Sequence, residues 1–325
     1  MAVPEPETGQ HTASLFAGKR QGSEVSKAMG QKDMAQKTLL DFEDVFADIV
    51  NVLLFDGRTV VEEECLADAS ERSHYKANDG MLHEQERDVA KYWLKKNVRI
   101  ALIGMENQSK VDQDMPLRVI NYDAAAYRSQ LLGKSSARYP VITMVMYFGA
   151  TPWNGPKTLF ERINIPDELK EYVSDYKTNV FEIASLSDEK IGMFKSDFRF
   201  FARYCKQMRL NRNYIPDRST IKHVDAVLKL FDAVNQTTEF QRAAWSLKKQ
   251  GREVRTMYDV VGRIKEEGRA EGQLAGRIEG LKDGENKLAA LMTKLFAAGR
   301  TKDAELAAKD AEARKRLYRE FGITD

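Results

Sequence analysis

Cysteine and histidine are scarce in this chain, and net charge is almost absent. Among 325 residues only Cys65 and Cys205 carry a thiol. That excludes a disulfide-stapled scaffold and every multi-cysteine zinc module. The four histidines, His11, His74, His83 and His223, are scattered without ligand spacing. No apolar run approaches the ~20 residues of a membrane span, and the N-terminus lacks the apolar core of a signal peptide. Lysine plus arginine number 51 against 49 aspartate plus glutamate, a formal charge of +2, so any nucleic-acid surface must be local. Hydrophobic residues reach 42% and can fill a core, while the 31% charged residues exceed a typical ~25% and suit exposed helices. The expectation is a soluble protein of a reducing compartment. At about 150 residues per domain, the length allows two domains and a tail.

Residues 1–36 are small and polar without periodicity and are expected to be disordered. Over 37–55, Phe42, Val45, Phe46, Ile49 and Leu53 recur at helical spacing, while Asp41, Asp44, Asp48 and Asn51 form a polar stripe. Asp56-Gly57 stops this helix, and the β-branched run in RTVVEEECL (58–66) predicts a strand. Residues 66–85 are polar, with a turn signal at Asn78-Asp79-Gly80. Strand-like runs at 88–94 and 98–106, joined by Lys95-Lys96-Asn97, predict an antiparallel hairpin. A helix from Asp114-Met115-Pro116 to Gly133 follows, with Asp114 as its cap. The apolar run 140–149 then predicts a central strand covered on both faces. The order is therefore α/β: helix, three strands, helix, strand, over a core at 37–160. Beyond Trp153 the pattern is helical, near 187–209, 219–235 and 239–250, in an extension over 161–262. A tail at 263–325 carries Gly268, Gly272, Gly276, Gly280 and Gly284, then short charged helices around 286–298 and 302–320.

The hairpin carries the sharpest chemical signal. A turn at Asn97 makes residues whose numbers sum to 194 face one another, which sets Asp88 opposite Glu106. Side chains so opposed lie about 5 Å apart. Two carboxylates there need a cation or a shared proton, and magnesium with its waters and a substrate phosphate fits. A one-residue slip in register would instead leave two solvated strand-end acids.

The stretches RDVAKYW, IALIGMENQS, MPLRVINYD and PVITMVMYFG resemble the recombination-promoting nuclease (Rpn) family, transposase-like proteins with a PD-(D/E)XK restriction-endonuclease-like core. FADIVNVLLFDG, the Ser196–Phe198 triplet and the glycine-spaced tail are similar to the same family, so the resemblance spans roughly 38–285. ENQS followed by MPLR is its most specific part. The resemblance implies a magnesium-dependent DNA endonuclease, with manganese as a workable substitute and double-stranded DNA as partner. It implies Asp88 and Glu106 as metal ligands, with Gln108 where the wider superfamily usually has lysine. Glutamine can orient an attacking water by hydrogen bonding but supplies no charge. A bacterial, cytoplasmic setting follows from the same resemblance.

Other residues admit two readings each. Asp48 is either a further metal ligand or part of the solvated stripe. Lys91, three positions after Asp88, points to the other sheet face, and Lys110 lies past the strand. Arg118 and Tyr122, four apart on a helix, either steady the scissile phosphate or support the strand. Tyr147 and Gly149 end the last strand, and Trp153 covers the core. Arg199, Arg203, Lys206 and Arg209 share a helical face interleaved with Phe200, Phe201 and Tyr204. That face either tracks a DNA backbone or packs on the core.

Each tail glycine costs roughly 1 kcal/mol of helix stability relative to alanine. The 268–284 stripe is thus either a close-packing face, for a second copy or for the chain's own nuclease region, or a polar linker. Two further functions stay open: a catalytically decayed nuclease fold acting as a DNA-binding or regulatory protein, and an interaction protein held inactive by its tail.

Overall fold

The computed structural model describes residues 34–69, 73–76, 82–85, 88–96, 98–211 and 214–323. The expectation of disorder over 1–36 falls almost wholly outside them. Two compact units divide the chain, 1–261 and 262–325.

The first helical stretch is broken in two. Residues 34–40 form α1, and α2 runs Glu43–Phe55. Val45, Phe46, Ile49 and Leu53 of α2 are buried, as their spacing predicts. Asp56 and Gly57 end it in the left-handed region, at φ 53° and 79°. The strand expected over 58–66 does not form at Thr59–Val61. Asn51, buried in the polar stripe, takes those backbone groups instead. Its Oδ1 accepts the N–H of Val60 and Val61, each at 2.9 Å, and its Nδ2 donates to Val61 O at 2.7 Å. The strand starts later, as β1 (Leu66–Asp68). Strands β2 (Ser73–Lys76) and β3 (Leu82–Gln85) then pair as a separate two-stranded sheet, and the turn signal at 78–80 lies outside the described residues.

The hairpin is β4 (Val89–Lys95) with β5 (Val98–Gln108). From Val89↔Met105 to Trp93↔Ala101 the partners sum to 194, before a bulge at Trp93/Leu94. The expected register is the observed one. Next comes α3 (Met115–Leu132), with Pro116 in its first turn. Its cap position is Asp114, but that side chain forms no cap hydrogen bond and accepts Arg162 Nε at 2.6 Å instead. Strand β6 (Val141–Tyr147) is buried nearly throughout and pairs parallel with β5.

Beyond Trp153 the chain is not all helical. After the short α4 (Leu159–Arg162), β7 (Asn179–Glu182) adds a parallel edge to β6 and completes the order β1-β4-β5-β6-β7. Four residues without strict alternation gave no strand signal. The helix expected near 187–209 is two helices, α5 (Asp188–Gly192) and α6 (Phe198–Asn211). Helices α7 (Val224–Asn235) and α8 (Glu239–Lys249) follow. The start of α7 lies later than expected because Thr220 bridges to Thr256.

The glycine stripe does not break the chain. One helix, α9, runs Met257–Ala297 through all five glycines, and the last stretch is α10 (Thr301–Lys309) and α11 (Ala311–Glu320). Asp310 separates these two by accepting the N–H groups of Glu312 and Ala313. Leu291, Leu295, Ala304, Ala307 and Leu317 form a small core of the tail. No helix is long and apolar enough to cross a membrane among the described residues.

Candidate active site

Strand alternation puts Glu106 and Gln108 on the sheet face covered by α3, at the C-terminal end of β5. Asp88 immediately precedes β4, across from them in register. Glu106 is 4% exposed. Three donors converge on its Oε1: Arg118 Nη2, Tyr122 Oη at 3.3 Å and Gln108 Nε2 at 3.3 Å. The other oxygen, Oε2, is buried with no hydrogen-bond partner. Burial, then the negative charge of Asp88, pushes the Glu106 carboxyl up to about 7, against the opposing pull of Arg118.

Asp88 is more exposed, at 20%. Its Oδ2 accepts the backbone N–H of Asn107 at 2.7 Å, which ties the acid to the next strand. Its Oδ1 lies 3.0 Å from Lys37 Nζ. Arg118 is fixed by several partners: Nη1 donates to Asp112 at 2.8 Å, and Nη2 to Tyr122 Oη at 3.0 Å as well as to Glu106. Burial pulls its guanidinium down, but Tyr122, Asp112 and Glu106 outweigh that and raise it. The tyrosine is raised too, by burial and by Glu106. Arg118 and Tyr122 thus support Glu106 directly, and Arg118, whose side chain is 38% exposed, also presents charge outward.

Those residues fit a divalent ion. A buried carboxylate oxygen without a partner, beside a second carboxylate that raises its proton affinity, lacks positive charge on one side. Magnesium is commonly held by one or two carboxylates with waters and phosphate oxygens completing the shell. Asp48 does not join the pair. Its Oδ2 accepts the N–H groups of Lys195 and Ser196 at 2.8 and 2.7 Å, fastening α2 to the segment before α6. Burial raises its carboxyl. Among the described residues no group of three acidic, histidine or cysteine side chains is placed to hold an ion.

The basic face of α6 is not an open stripe. Arg199 Nε lies 3.8 Å from Asp217, Arg203 pairs with the same carboxylate, and Lys206 lies 2.8 Å from Asp188. Arg209 donates to Ala150 O at 3.2 Å. None of these contacts involves Asp88, Glu106 or Gln108. The aromatic side, Phe200, Phe201 and Tyr204, is buried as expected. Spacing along one helix shows its basic side chains but not the acids that other segments bring to them.

Two further motifs are structural. Asp197 of the Ser196–Phe198 triplet is buried and accepts the N–H groups of Lys222 and His223. Trp153 packs edge-on against Tyr147 at 5.2 Å within a cluster containing Met115, Val119 and Val145.

Lys37 is the functional candidate that periodicity did not single out. It stands far from Asp88 in sequence, and its helical context looks like any amphipathic segment. Only the packing of α1 against the sheet reveals it.

Residues 95–241 match the sequence profile of a family described as "Putative transposase, YhgA-like". The match takes in Glu106, Gln108, Arg118 and Tyr122 and stops short of Asp88 and Lys37. No curated protein and no solved structure matches the chain.

Proposed function

From the premise that residues 95–241 are a YhgA-like transposase region, of the Rpn/PD-(D/E)XK-like group, we propose that this protein is a magnesium-dependent DNA endonuclease. It would hydrolyse phosphodiester bonds of double-stranded DNA at the Asp88–Glu106 pair, with manganese able to replace magnesium. The observation that carries the proposal is Glu106: buried, its Oε2 without a partner, and its carboxyl raised to about 7 beside Asp88. The order of elements around it, α2, three strands of one sheet, α3 and β6, agrees with a PD-(D/E)XK core.

Asp88 and Glu106 would hold the ion, which when bound lowers the pKa of water and neutralises charge on the phosphate. Gln108, on the same face and hydrogen-bonded to Glu106, orients the attacking water through its amide. Arg118, already charged and partly exposed, binds a phosphate oxygen, and Tyr122 keeps the arginine aimed. In this reading Arg203 and Lys206 contribute at most distant backbone contacts, because Asp217 and Asp188 already balance them.

The test separates this reading from a non-cutting DNA-binding or regulatory protein on the same fold. That alternative draws on the ion pairs Arg118–Glu106 and Lys37–Asp88, which satisfy much of the pair without metal. Asp88→Asn should abolish magnesium-dependent nicking of supercoiled plasmid while gel-shift affinity for the same DNA changes little. A wild type that shifts DNA without nicking it favours the alternative.

Gln108→Ala should lower turnover by about 10–100-fold, the scale of one site hydrogen bond of 1.5–3 kcal/mol. Gln108→Lys should be tolerated. Single-turnover rates at saturating magnesium check both, and an unimpaired alanine variant removes Gln108 from the mechanism.

Self-association through 268–284 forms part of the same proposal. A Cβ built at Gly272, Gly276 or Gly280 meets nothing within 4 Å, and Leu274, Ile278 and Leu281 on the same helix are more than half exposed. Replacing the three glycines by alanine should stabilise the helix by roughly 3 kcal/mol in total. It should also weaken pairing of two copies by holding their backbones apart. Sedimentation of the full chain and the triple variant reads this, and identical monomeric profiles reject a packing role.

A further inference from the structure

A second cation reaches the carboxylate pair, and it comes from a different element than Arg118. Lys37 lies in the last turn of α1, where Asp41 N–H donates to Lys37 O at 2.9 Å. Its Nζ is 3.0 Å from Asp88 Oδ1, and its charge is also felt by Glu106. The side chain is 44% exposed. An ammonium on a flexible stem in that setting can change partners, whereas the planar Arg118 group is held at once by Asp112, Tyr122 and Glu106.

The segment that carries Lys37 is fastened on the side away from the site. The chain breaks between α1 and α2 at Asp41-Phe42. Lys91, fully buried on the reverse face of β4, draws in Asp41 at 3.3 Å, Glu43 at 3.4 Å and Asp68 at 2.5 Å. Phe42 stacks on His223 with ring centroids 3.7 Å apart. The joint directly after Lys37 is thus pinned by charge and by stacking. Lys37 is delivered to Asp88 by the fold, unlike an ordinary surface lysine.

We propose that Lys37 is an exchangeable counter-ion of the site. It neutralises Asp88 until a divalent ion takes that carboxylate, and it then contacts a non-bridging oxygen of the bound phosphodiester. This inference rests on the reading of Asp88 and Glu106 as the metal site. Its logic is competition: an ammonium and a hard divalent ion cannot both use the same carboxylate oxygen. The displaced ammonium needs an anion, and the incoming phosphate brings one within reach of the stem. No bond is made or broken by Lys37. It exchanges one anionic partner for another.

Removing the ammonium should therefore move two measurements in opposite directions. In the full chain without DNA, Lys37→Met should bind Mn2+ about 2–5-fold more tightly by calorimetry, the scale of one half-exposed ion pair. With supercoiled plasmid at saturating magnesium, the same variant should nick about 10–100-fold more slowly. Lys37→Arg, which keeps the charge, should recover most of the rate. Loss of fold would weaken both measurements together, so tighter Mn2+ binding with slower nicking is the diagnostic result. Unchanged or weaker Mn2+ binding in Lys37→Met overturns the exchange, as does an unchanged rate, even if the wild type nicks normally. A wild type that neither binds Mn2+ nor nicks overturns the metal site itself, and the exchange with it.

Discussion

Glu106→Gln is expected to abolish magnesium-dependent nicking, by at least about 100-fold or roughly 3 kcal/mol of barrier, while the protein stays folded. Glutamine keeps the volume at a position that is 4% exposed, so the packing against α3 survives. What it loses is the charge that a divalent ion requires. The variant also has a signature in stability that needs no DNA. Between the ordinary glutamate value near 4.5 and about 7, the folded protein keeps a proton on Glu106 that the unfolded chain releases. Stability of the metal-free wild type therefore falls as pH rises through that window. By pH 8 the loss is on the order of 3 kcal/mol. Glutamine cannot ionise, so in EDTA the variant should gain on the wild type from pH 5 to pH 8. Magnesium should stabilise only the wild type. Thermal melts of both proteins at the two pH values check this. An unchanged difference between them would show that Glu106 is an ordinary, solvated acid.

Lys91→Ala should be the most destabilising single change away from the site, costing about 3 kcal/mol in urea unfolding. Lys91 is fully buried, yet its acidic partners Asp41, Glu43 and Asp68 are each more than half exposed. Those carboxylates return to water when the lysine is removed, so lost charge pairing contributes little. The cost comes from the cavity left by four buried methylenes, in the range seen for large-to-small core changes. Lys91→Met keeps most of that volume and should cost only about 1 kcal/mol. Equal losses in the two variants would mean that charge outweighs packing there.

The difference between those contributions also explains what could be read from the sequence. The hairpin register was legible because a short connection leaves one pairing that sets β-rich runs face to face. Asp88 and Glu106 therefore meet where number pairing places them. Burial of β6 was legible from an unbroken apolar run, and Lys91 was correctly assigned to the reverse face by period-two alternation. The failures share one cause: a distant side chain decides a local outcome. Asn51 takes the backbone groups of Val60 and Val61 that a strand would have used. Asp217 and Asp188 occupy the basic face of α6. Asp48 is spent on the N–H groups before α6. Lys37 reaches Asp88 only because α1 packs beside the sheet. The glycine stripe misled in another way. Glycine weakens a helix without forbidding it, and α9 continues through all five.

The most direct test of the central claim is cleavage of supercoiled plasmid by the purified wild-type chain, in magnesium and in excess EDTA. A divalent site at Asp88 and Glu106 predicts nicked circles accumulating in magnesium, none in EDTA, and recovery when magnesium is restored. Intact plasmid in magnesium, or equal nicking in EDTA, would contradict it.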